Sequence, residues 1–466
     1  MDVVSGLEIW KRPVLFFIKF ALVELCYLYI LMRSIHLKHF RCYSDFRLVF
    51  KPGINLLVGD NASGKTSLLK ACQYVLSAFF AGFSDENTNW ITFDTDDFQR
   101  LVEGDRELPT QPIQIIFDAT DLDYTGKKNL SRQVLERRKP KGARTLRTGF
   151  GLYYRYSQLL QARFYSIKEK QQKAPLPLFA YYSVEDIHAK RRINTTAFNR
   201  VAKHSLGYLG CLNGDGFLRY WIHRLLILEE KKEGHPEASF VTESILRVIG
   251  EQGCNLFKGI LIRINAKEVV FVTIDGREIP TDYLSEGQKR IVAMAIDLAF
   301  RSYLLNYSLY GEKTCAKISG TVLIDEVDMH LHPSLQAKIL PALRRAYPNV
   351  QFIASSHAPM VMSGIKTDKK NVVYRLSYDE NAGYQVGKVY TYGLDLSTLV
   401  ERLWDLPPRT AEVAERLNGL FKLIDDEEYE KANDRLNELQ EDFPDGEISD
   451  LSYAEGLLTV LADSEK

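Results

Sequence analysis

The chain has 466 residues, about three domains' worth at roughly 150 residues per domain, and 45% of them are hydrophobic, enough to bury a sizeable core. With 29 glycines, 16 prolines and 26% charged residues, the composition excludes collagen-like, disordered and disulfide-rich miniprotein classes. Sixty basic residues balance sixty acidic ones, so the average charge indicates no class of partner. The six cysteines form no C-x-x-C pair, which disfavours zinc or thiol-exchange sites and favours reduced thiols in a cytoplasmic protein.

The chain begins with a hydrophobic extension, residues 1–31. Residues 14–31 are apolar except for Lys19 and Glu24, and each of these charges would cost roughly 2.5–3.5 kcal/mol at a membrane centre. The segment also lacks a small-residue cleavage site. We favour an extension from a misplaced start codon, because Met32 opens a run typical of a domain start. A packed or peripheral amphipathic helix and a membrane anchor stay open as alternatives, and membrane attachment is not expected.

Short hydrophobic runs separated by turn residues predict strands on both sides of a long middle segment. Strands are predicted at 34–40, 46–50, 54–58, 113–119, 256–264, 269–274, 321–324 and 350–354, and helices at 217–232 and 287–305. Within the middle segment, alternating residues favour antiparallel strands at 152–156 and 163–167. From Leu394 onward the pattern is helical and polar. The middle segment therefore interrupts an α/β domain.

Two segments carry opposite charge. Residues 127–173 hold 14 Lys or Arg against two acids, and residues 424–466 hold 15 acids against three bases. Aromatic residues at 153, 154, 156, 164 and 165 interleave the basic segment, so it suits either nucleic-acid binding with base stacking or a half-buried strand with a solvated face. The acidic segment could mask the basic one, or dock on another subunit or a partner. Nucleic acid is therefore a candidate partner of the basic segment.

One glycine-rich loop has the spacing of a phosphate cradle. Residues 59–66 read GDNASGKT and fit G-x-x-x-x-G-K-[ST], between an apolar run (INLLV) and a helical run (SLLKACQYVLSAFF). The glycines let backbone N–H groups turn toward phosphates, Lys65 reaches the β- and γ-phosphates, and the Thr66 hydroxyl suits Mg²⁺. The predicted nucleotide-binding residues are Gly59, Asp60, Asn61, Ala62, Ser63, Gly64, Lys65, Thr66 and Ser67.

Two strand ends carry side chains that suit hydrolysis of a triphosphate. The run TVLIDE ends in Asp325, which can hold Mg²⁺, and Glu326, which can orient and deprotonate a water molecule. SSHAP at 355–359 follows a predicted strand and places His357 where it can contact a γ-phosphate. We therefore predict Glu326 and His357 as catalytic residues, and Thr66 and Asp325 as metal ligands.

A fourth motif, LSEGQ at 284–288, opens a predicted helix. Ser285, Gly287 and Gln288 would bind a γ-phosphate through the hydroxyl and the first N–H groups of the helix. The same residues also suit an ordinary helix N-cap with Glu286 in the first turn, and the two interpretations are compatible.

In this order, GDNASGKT, LSEGQ, VLIDEVDMHLHP and SSHAP resemble the motifs of SMC, RecF and OLD ATPases, over roughly residues 32–120 and 256–392. The resemblance implies a P-loop ABC-type ATPase head, an α/β fold with a mixed sheet flanked by helices. It also implies ATP and Mg²⁺ as cofactors and a homodimer, or a higher oligomer, in which two heads sandwich two ATP molecules. Ser285 of one subunit would then meet the nucleotide on Lys65 of the other, and Asp328 would lie in the dimer-facing turn.

The sequence departs from this family in several places. No glutamine is assigned to the Q-loop: Gln99, Gln111 and Gln114 precede the insertion, and the equivalent strand, LPLFAYYSVEDIH, has none. The insertion lacks the heptads of a long SMC coiled coil. The C-terminal region is helical without an acidic strand-end cluster, so no intrinsic nuclease is expected. His330 and His332 resemble the family's HLHP continuation, and we prefer that to a metal pair.

A compact head, a basic insertion and a helical tail are together similar to PtuA, the ATPase subunit of Septu antiphage systems and of some retrons. That resemblance implies regulation of a partner HNH nuclease of the PtuB type, and in retrons a reverse transcriptase with its DNA. Three alternatives stay open: a RecF-like DNA repair ATPase, a scaffold that binds ATP with little turnover, and the cytoplasmic ATPase of a transporter. The expected organisation is a hydrophobic extension (1–31), an ATPase head (32–120 and 256–392), a basic α+β insertion (121–255) and an acidic helical region (393–466).

Overall fold

The computed structural model describes twelve stretches of the chain: residues 31–85, 88–100, 102–103, 106–107, 111–119, 132–164, 174–184, 204–213, 218–230, 236–404, 409–443 and 449–464. The chain divides into two compact units, Met1–Leu394 and Asp395–Lys466. Residues 1–30 of the hydrophobic extension lie outside the described residues. None of the described helices is long and apolar enough to cross a membrane.

The first unit contains both strands and helices. The strands are β1 (Met32–Phe40), β2 (Tyr43–Val49), β3 (Ile54–Val58), β4 (Val102–Glu103), β5 (Arg106–Glu107), β6 (Ile113–Ala119), β7 (Arg132–Arg137), β8 (Leu178–Tyr182), β9 (Phe257–Arg263), β10 (Glu268–Thr273), β11 (Glu278–Pro280), β12 (Gly320–Ile324), β13 (Val350–Ser355), β14 (Val372–Asp379) and β15 (Gly383–Val389). The helices are α1 (Lys65–Ser77), α2 (Gly151–Phe164), α3 (Leu218–Glu230), α4 (Pro236–Ile249), α5 (Glu286–Tyr310), α6 (Thr314–Lys317), α7 (Pro333–Ala346) and α8 (Pro359–Ser363).

A six-stranded mixed sheet positions the predicted site. Its order is β15-β14-β3-β13-β12-β8, with β15 antiparallel at one edge and the other five strands parallel. β3, β8, β12 and β13 are buried at every residue, as expected for parallel strands covered on both faces. Because parallel strands end at the same edge, the glycine-rich loop after β3, Asp325 after β12 and His357 after β13 lie side by side.

A second, antiparallel sheet lies in the same unit, in the order β2-β1-β6-β7. Its two central strands pair Ile35 with Phe117 and Leu37 with Ile115, and all four side chains are buried. Burying these alternate apolar residues gives the sheet one core face, as the period of two predicts. A three-stranded antiparallel sheet, β11-β10-β9, stands before α5 in the chain.

The fold class predicted from the sequence is confirmed: the head is α/β, with a mixed sheet flanked by helices. The predicted strands outside the middle segment lie within three residues of the observed ones. Strand β8 comes from within residues 121–255, so this segment contributes an edge strand to the main sheet.

The strand predicted at 152–156 is wrong, and so is the start of the one predicted at 163–167. Residues 151–164 form helix α2, and residues 165–167 lie outside the described residues. Tyr153, Tyr156 and Leu160 are buried at a spacing of three and four residues, which is the period of a helical face. Adjacent tyrosines made this spacing look like strand alternation.

The second unit is helical, as its polar pattern predicts. Its helices are α9 (Leu396–Trp404), α10 (Ala411–Asp425), α11 (Tyr429–Asp442) and α12 (Ser449–Ser464). One apolar stripe from each of the last three helices forms a core of its own: Leu417, Leu420, Ile424, Ala432, Leu436, Leu439, Leu451, Ala454 and Leu458.

Candidate functional site

The loop between β3 and α1 has the backbone that its glycines predict. Gly59 has φ 145° and Gly64 has φ 92°, both in the region that favours glycine. A Cβ atom at Gly59 would collide with the Leu376 carbonyl oxygen, and one at Gly64 with the Tyr43 hydroxyl. The close neighbours and the dihedral angles therefore require glycine at both positions.

The Lys65 ammonium lies over this loop. Its Nζ donates to the carbonyl oxygens of Gly59 (2.9 Å) and Asp60 (2.7 Å) and to Ser63 Oγ (3.1 Å). Burial lowers the pKa of Lys65, and the carboxylates of Asp60 and its acidic neighbours oppose this shift. A buried cation at the mouth of an N–H-lined loop suits a phosphate, because an anion would compensate the desolvated charge.

Thr66 and Asp325 come together from distant parts of the chain. Thr66 Oγ1 lies 3.4 Å from Asp325 Oδ1, and Ser355 Oγ donates to the same carboxylate oxygen at 2.5 Å. Among the described residues, no group of three or more His, Cys, Asp or Glu side chains could hold a metal ion. A hydroxyl and one carboxylate fit Mg²⁺, which usually combines one or two carboxylates with phosphate oxygens.

Glu326 and His357 follow neighbouring strands. Glu326 has φ 47°, a strained value for a residue with a side chain, and its N–H donates to Ser355 Oγ at 2.7 Å. The N–H of His357 donates to Asp328 Oδ1 at 3.3 Å. Ser355 thus holds the Asp325 carboxylate and the Glu326 backbone together, a role that the sequence did not reveal.

These side chains line one cavity of about 350 Å³, within the range of small-molecule sites. Its lining brings together most of the predicted residues with three that the sequence analysis did not assign to the site, Cys42, Ser355 and Tyr384. The lining residues are Cys42, Asn61, Ala62, Ser63, Gly64, Lys65, Thr66, Ser67, Asp325, Glu326, Ser355, His357 and Tyr384.

The LSEGQ residues form a helix start away from this cavity lining. Ser285 Oγ accepts from the Gln288 N–H (3.3 Å) and Gln288 Oε1 accepts from the Ser285 N–H (3.0 Å), a reciprocal capping box at the exposed start of α5. Gly287 packs so closely on the turn after β12 that a Cβ would collide with the His330 carbonyl oxygen. His330 Nδ1 lies 3.6 Å from Glu286 Oε2.

A buried polar network connects helix α5 to the end of β12. Asp297 of α5 accepts hydrogen bonds from Tyr182 Oη (2.8 Å), Trp221 Nε1 (2.6 Å) and Arg301 Nε (2.7 Å). The Tyr182 carbonyl oxygen accepts from the Asp325 N–H at 2.8 Å. Helix α5, which begins with LSEGQ, is thus connected to the acidic end of β12 through β8.

The remaining predictions fall outside the cavity. The LPLFAYY segment contains β8, which pairs with β12, and no glutamine is among the described residues that line the cavity. Gln99 and Gln114 instead donate to Ser44 and Glu136 side chains, and Gln111 is exposed.

The suggestion that aromatic residues of the basic segment stack on bases is wrong for Tyr153 and Tyr156, which are buried in the core. The cations of its described part are mostly exposed on the loop between β7 and α2: Arg138, Lys139, Lys141, Arg144 and Arg147. Residues 127–131 and 165–173 of the segment lie outside the described residues.

Comparison with known proteins identifies a family and several similar proteins. Residues 54–363 match the model of the family described as "AAA domain, putative AbiEii toxin, Type IV TA system". The chain is 38% identical over 104 residues to a protein of Vibrio cholerae serotype O1 biovar El Tor named "Retron Vc95 probable ATPase", which covers 22% of this chain and 20% of that one. It is 28% identical over 176 residues to a Septu protein PtuA of Bacillus thuringiensis, covering 36% and 43%.

The chain thus spans less than half the length of these two relatives. A solved SMC head bound to the C-winged helix domain of ScpA superposes with a TM-score of 0.44 at 16% identity, covering 77% of this chain and 97% of that one. The predicted resemblance to PtuA and to retron ATPases is confirmed by the family and sequence matches.

Proposed function

Since the chain belongs to the AAA-domain family whose model matches residues 54–363, we propose that it binds and hydrolyses ATP with Mg²⁺. The observation that carries this proposal is one cavity. The glycine-rich loop, Asp325, Glu326 and His357 all line it, from the ends of three adjacent parallel strands. A phosphate cradle, two oxygen ligands and a carboxylate beside them are the parts that phosphoryl transfer to water needs.

Each side chain then has a defined task. The loop N–H groups and the Lys65 ammonium bind and orient the phosphates, while Thr66 and Asp325 would hold Mg²⁺. When bound, Mg²⁺ would neutralise phosphate charge. The Glu326 carboxylate orients the attacking water and accepts its proton, because it stands next to the metal ligand on the same strand end. His357, beside it on the next strand, would donate to the γ-phosphate.

We propose further that two copies sandwich the nucleotides. Ser285, Gly287 and Gln288 stand outside the cavity lining, at the exposed start of α5. An exposed helix start suits a phosphate, and in this proposal it meets the nucleotide held by a second copy. ATP would then hold the dimer together until hydrolysis releases it.

The cellular role that we propose is control of a partner nuclease in antiphage defence. Its support is the likeness to one protein named as a retron ATPase and another named Septu PtuA, each over part of its length. An HNH nuclease of the PtuB type, and in a retron a reverse transcriptase with its DNA, are the partners this role implies. The exposed cations between β7 and α2 are the candidate contact for nucleic acid.

The test is ATP turnover by the whole chain, followed by co-purification with the products of neighbouring genes. Lys65→Ala should abolish turnover. The Lys65 ammonium donates to three groups of the glycine-rich loop and is the cation that we expect to bind the phosphates. The matched control is Lys388→Ala, which removes an exposed lysine on β15 and should leave turnover unchanged.

A wild-type chain without ATP turnover would overturn the proposed ATPase activity. A chain that purifies without a nuclease, and whose turnover rises with DNA, would overturn the defence role.

A further inference from the structure

Two residues outside every nucleotide motif form one wall of the cavity. Cys42 lies in the turn between β1 and β2, and Tyr384 lies on β15, 342 positions later in the chain. Their side chains contact each other, and the Cys42 thiol also contacts the Ser67 hydroxyl. The wall therefore joins the first turn of α1 to the edge strand of the main sheet.

Two successive residues of α1 contact the acidic residues and this wall, respectively. Thr66 points toward Asp325, at 3.4 Å, whereas the next residue, Ser67, contacts Cys42. Successive side chains of a helix point roughly 100° apart, so the two directions diverge from the same turn. A triphosphate whose metal end lies at Thr66 and Asp325 must direct its nucleoside end elsewhere, and Cys42 and Tyr384 stand on the diverging side.

The Tyr384 ring is held in place by other aromatic rings. Its centroid lies 5.0 Å from those of Tyr43 and of Tyr378, with interplanar angles of 64° and 58°. Tyr43 is buried and donates to the Gly64 carbonyl oxygen at 3.0 Å, and the Tyr384 hydroxyl lies 3.4 Å from the Ala62 carbonyl oxygen. The ring orientation is thus fixed by two neighbouring rings and by one contact with the glycine-rich loop.

We propose that Tyr384, with Cys42 beside it, is the contact for the base and ribose of the bound nucleotide. This proposal rests on the proposed nucleotide site. It concerns the base and the ribose, which the phosphate-binding motifs do not contact. An aromatic ring of fixed orientation offers its face to a planar heteroaromatic ring, and such stacking adds affinity for any base.

The experiment is calorimetric binding of two probes, ATP and inorganic tripolyphosphate, each with Mg²⁺, to the full chain. Tyr384→Ala should weaken ATP binding by about tenfold or more, the value expected for one stacked base, and leave tripolyphosphate binding unchanged. Tyr384→Phe keeps the ring and should keep ATP affinity. Cys42→Leu, which fills the wall with a bulkier side chain, should also weaken ATP more than tripolyphosphate.

Tyr390→Ala is the matched control, because Tyr390 is an exposed tyrosine just beyond β15 and should change neither probe. Equal losses of ATP and tripolyphosphate in Tyr384→Ala would overturn the inference and make Tyr384 a support of the loop. Unchanged ATP binding in Tyr384→Ala would overturn it as well. A wild-type chain that binds neither probe would instead overturn the nucleotide site as a whole.

Discussion

Two hydroxyl groups hold the carboxylate that would bind the metal. Ser355 and Thr66 both contact Asp325 Oδ1, and Ser355 also accepts the Glu326 N–H. Ser355 is fully buried, so water cannot replace these hydrogen bonds. Ser355 is therefore a positioning residue for both acids.

Ser355→Ala should raise the Mg²⁺ concentration needed for half-maximal ATP turnover by about 10–100-fold, the usual effect of losing a group that orients a metal ligand. The measurement is turnover as a function of Mg²⁺ at saturating ATP. Ser356→Ala is the control. Within the described part of the chain, this buried hydroxyl accepts from the Ala358 N–H and does not contact Asp325 or Glu326, so its loss should leave the Mg²⁺ requirement unchanged. Equal requirements in Ser355→Ala and wild type would contradict this role.

The residues of the site differ in how far the sequence predicts them. Short motifs predict Lys65, Asp325 and His357. Each motif consists of a strand end and the turn after it, so the local sequence is sufficient to identify these residues. Cys42 and Tyr384 have no local signal, because their function depends on a contact between residues 342 positions apart. Only the pairing of β14 with β3, and of β15 with β14, brings Tyr384 to the loop.

Among the elements, the contact between the start of α5 and the turn after β12 is tight. Gly287→Ala should destabilise the chain by about 1–3 kcal/mol, because the added methyl group would meet the backbone of His330. Thermal unfolding followed by calorimetry measures this effect.

Gly456→Ala is the control for Gly287→Ala. Gly456 also lies within a helix, α12, but nothing stands within 4 Å of its Cβ position. Alanine there should stabilise its own unit by roughly 0.5–1 kcal/mol through helix propensity alone. A Gly287→Ala variant as stable as the wild type would show that α5 can move away from the turn at no cost.

Element types could be predicted where one periodicity was long and unmixed. β3, β12 and β13 are short, mostly apolar runs, and α5 is a long stretch with a capping box at its start, so sequence and structure agree there. Helix α2 contains adjacent tyrosines, of which Tyr153 and Tyr156 are buried and Tyr154 is only partly covered. A helical face and a strand face share such a pattern over five residues, and tertiary packing decided between them.

On the scale of the whole molecule, the zero net charge divides unequally between the two units. Residues 395–466 carry 20 acidic and 7 basic residues, which leaves 40 acidic and 53 basic ones for residues 1–394. The helical unit is thus strongly acidic, with its own apolar core, and the unit that holds the cavity is basic. Opposite charges on two units favour different partners for each, a basic protein surface for one and an anion for the other.

We propose that ATP joins two copies of this chain across the exposed start of α5. Light scattering of Glu326→Gln is the most direct measurement, because this variant should bind ATP and fail to hydrolyse it. With Mg²⁺ and ATP we expect at least twice the chain mass of 53.4 kDa, and a return to the nucleotide-free mass when Ser285→Arg is added. If Glu326→Gln binds ATP and still has the mass of one chain, ATP does not join two copies.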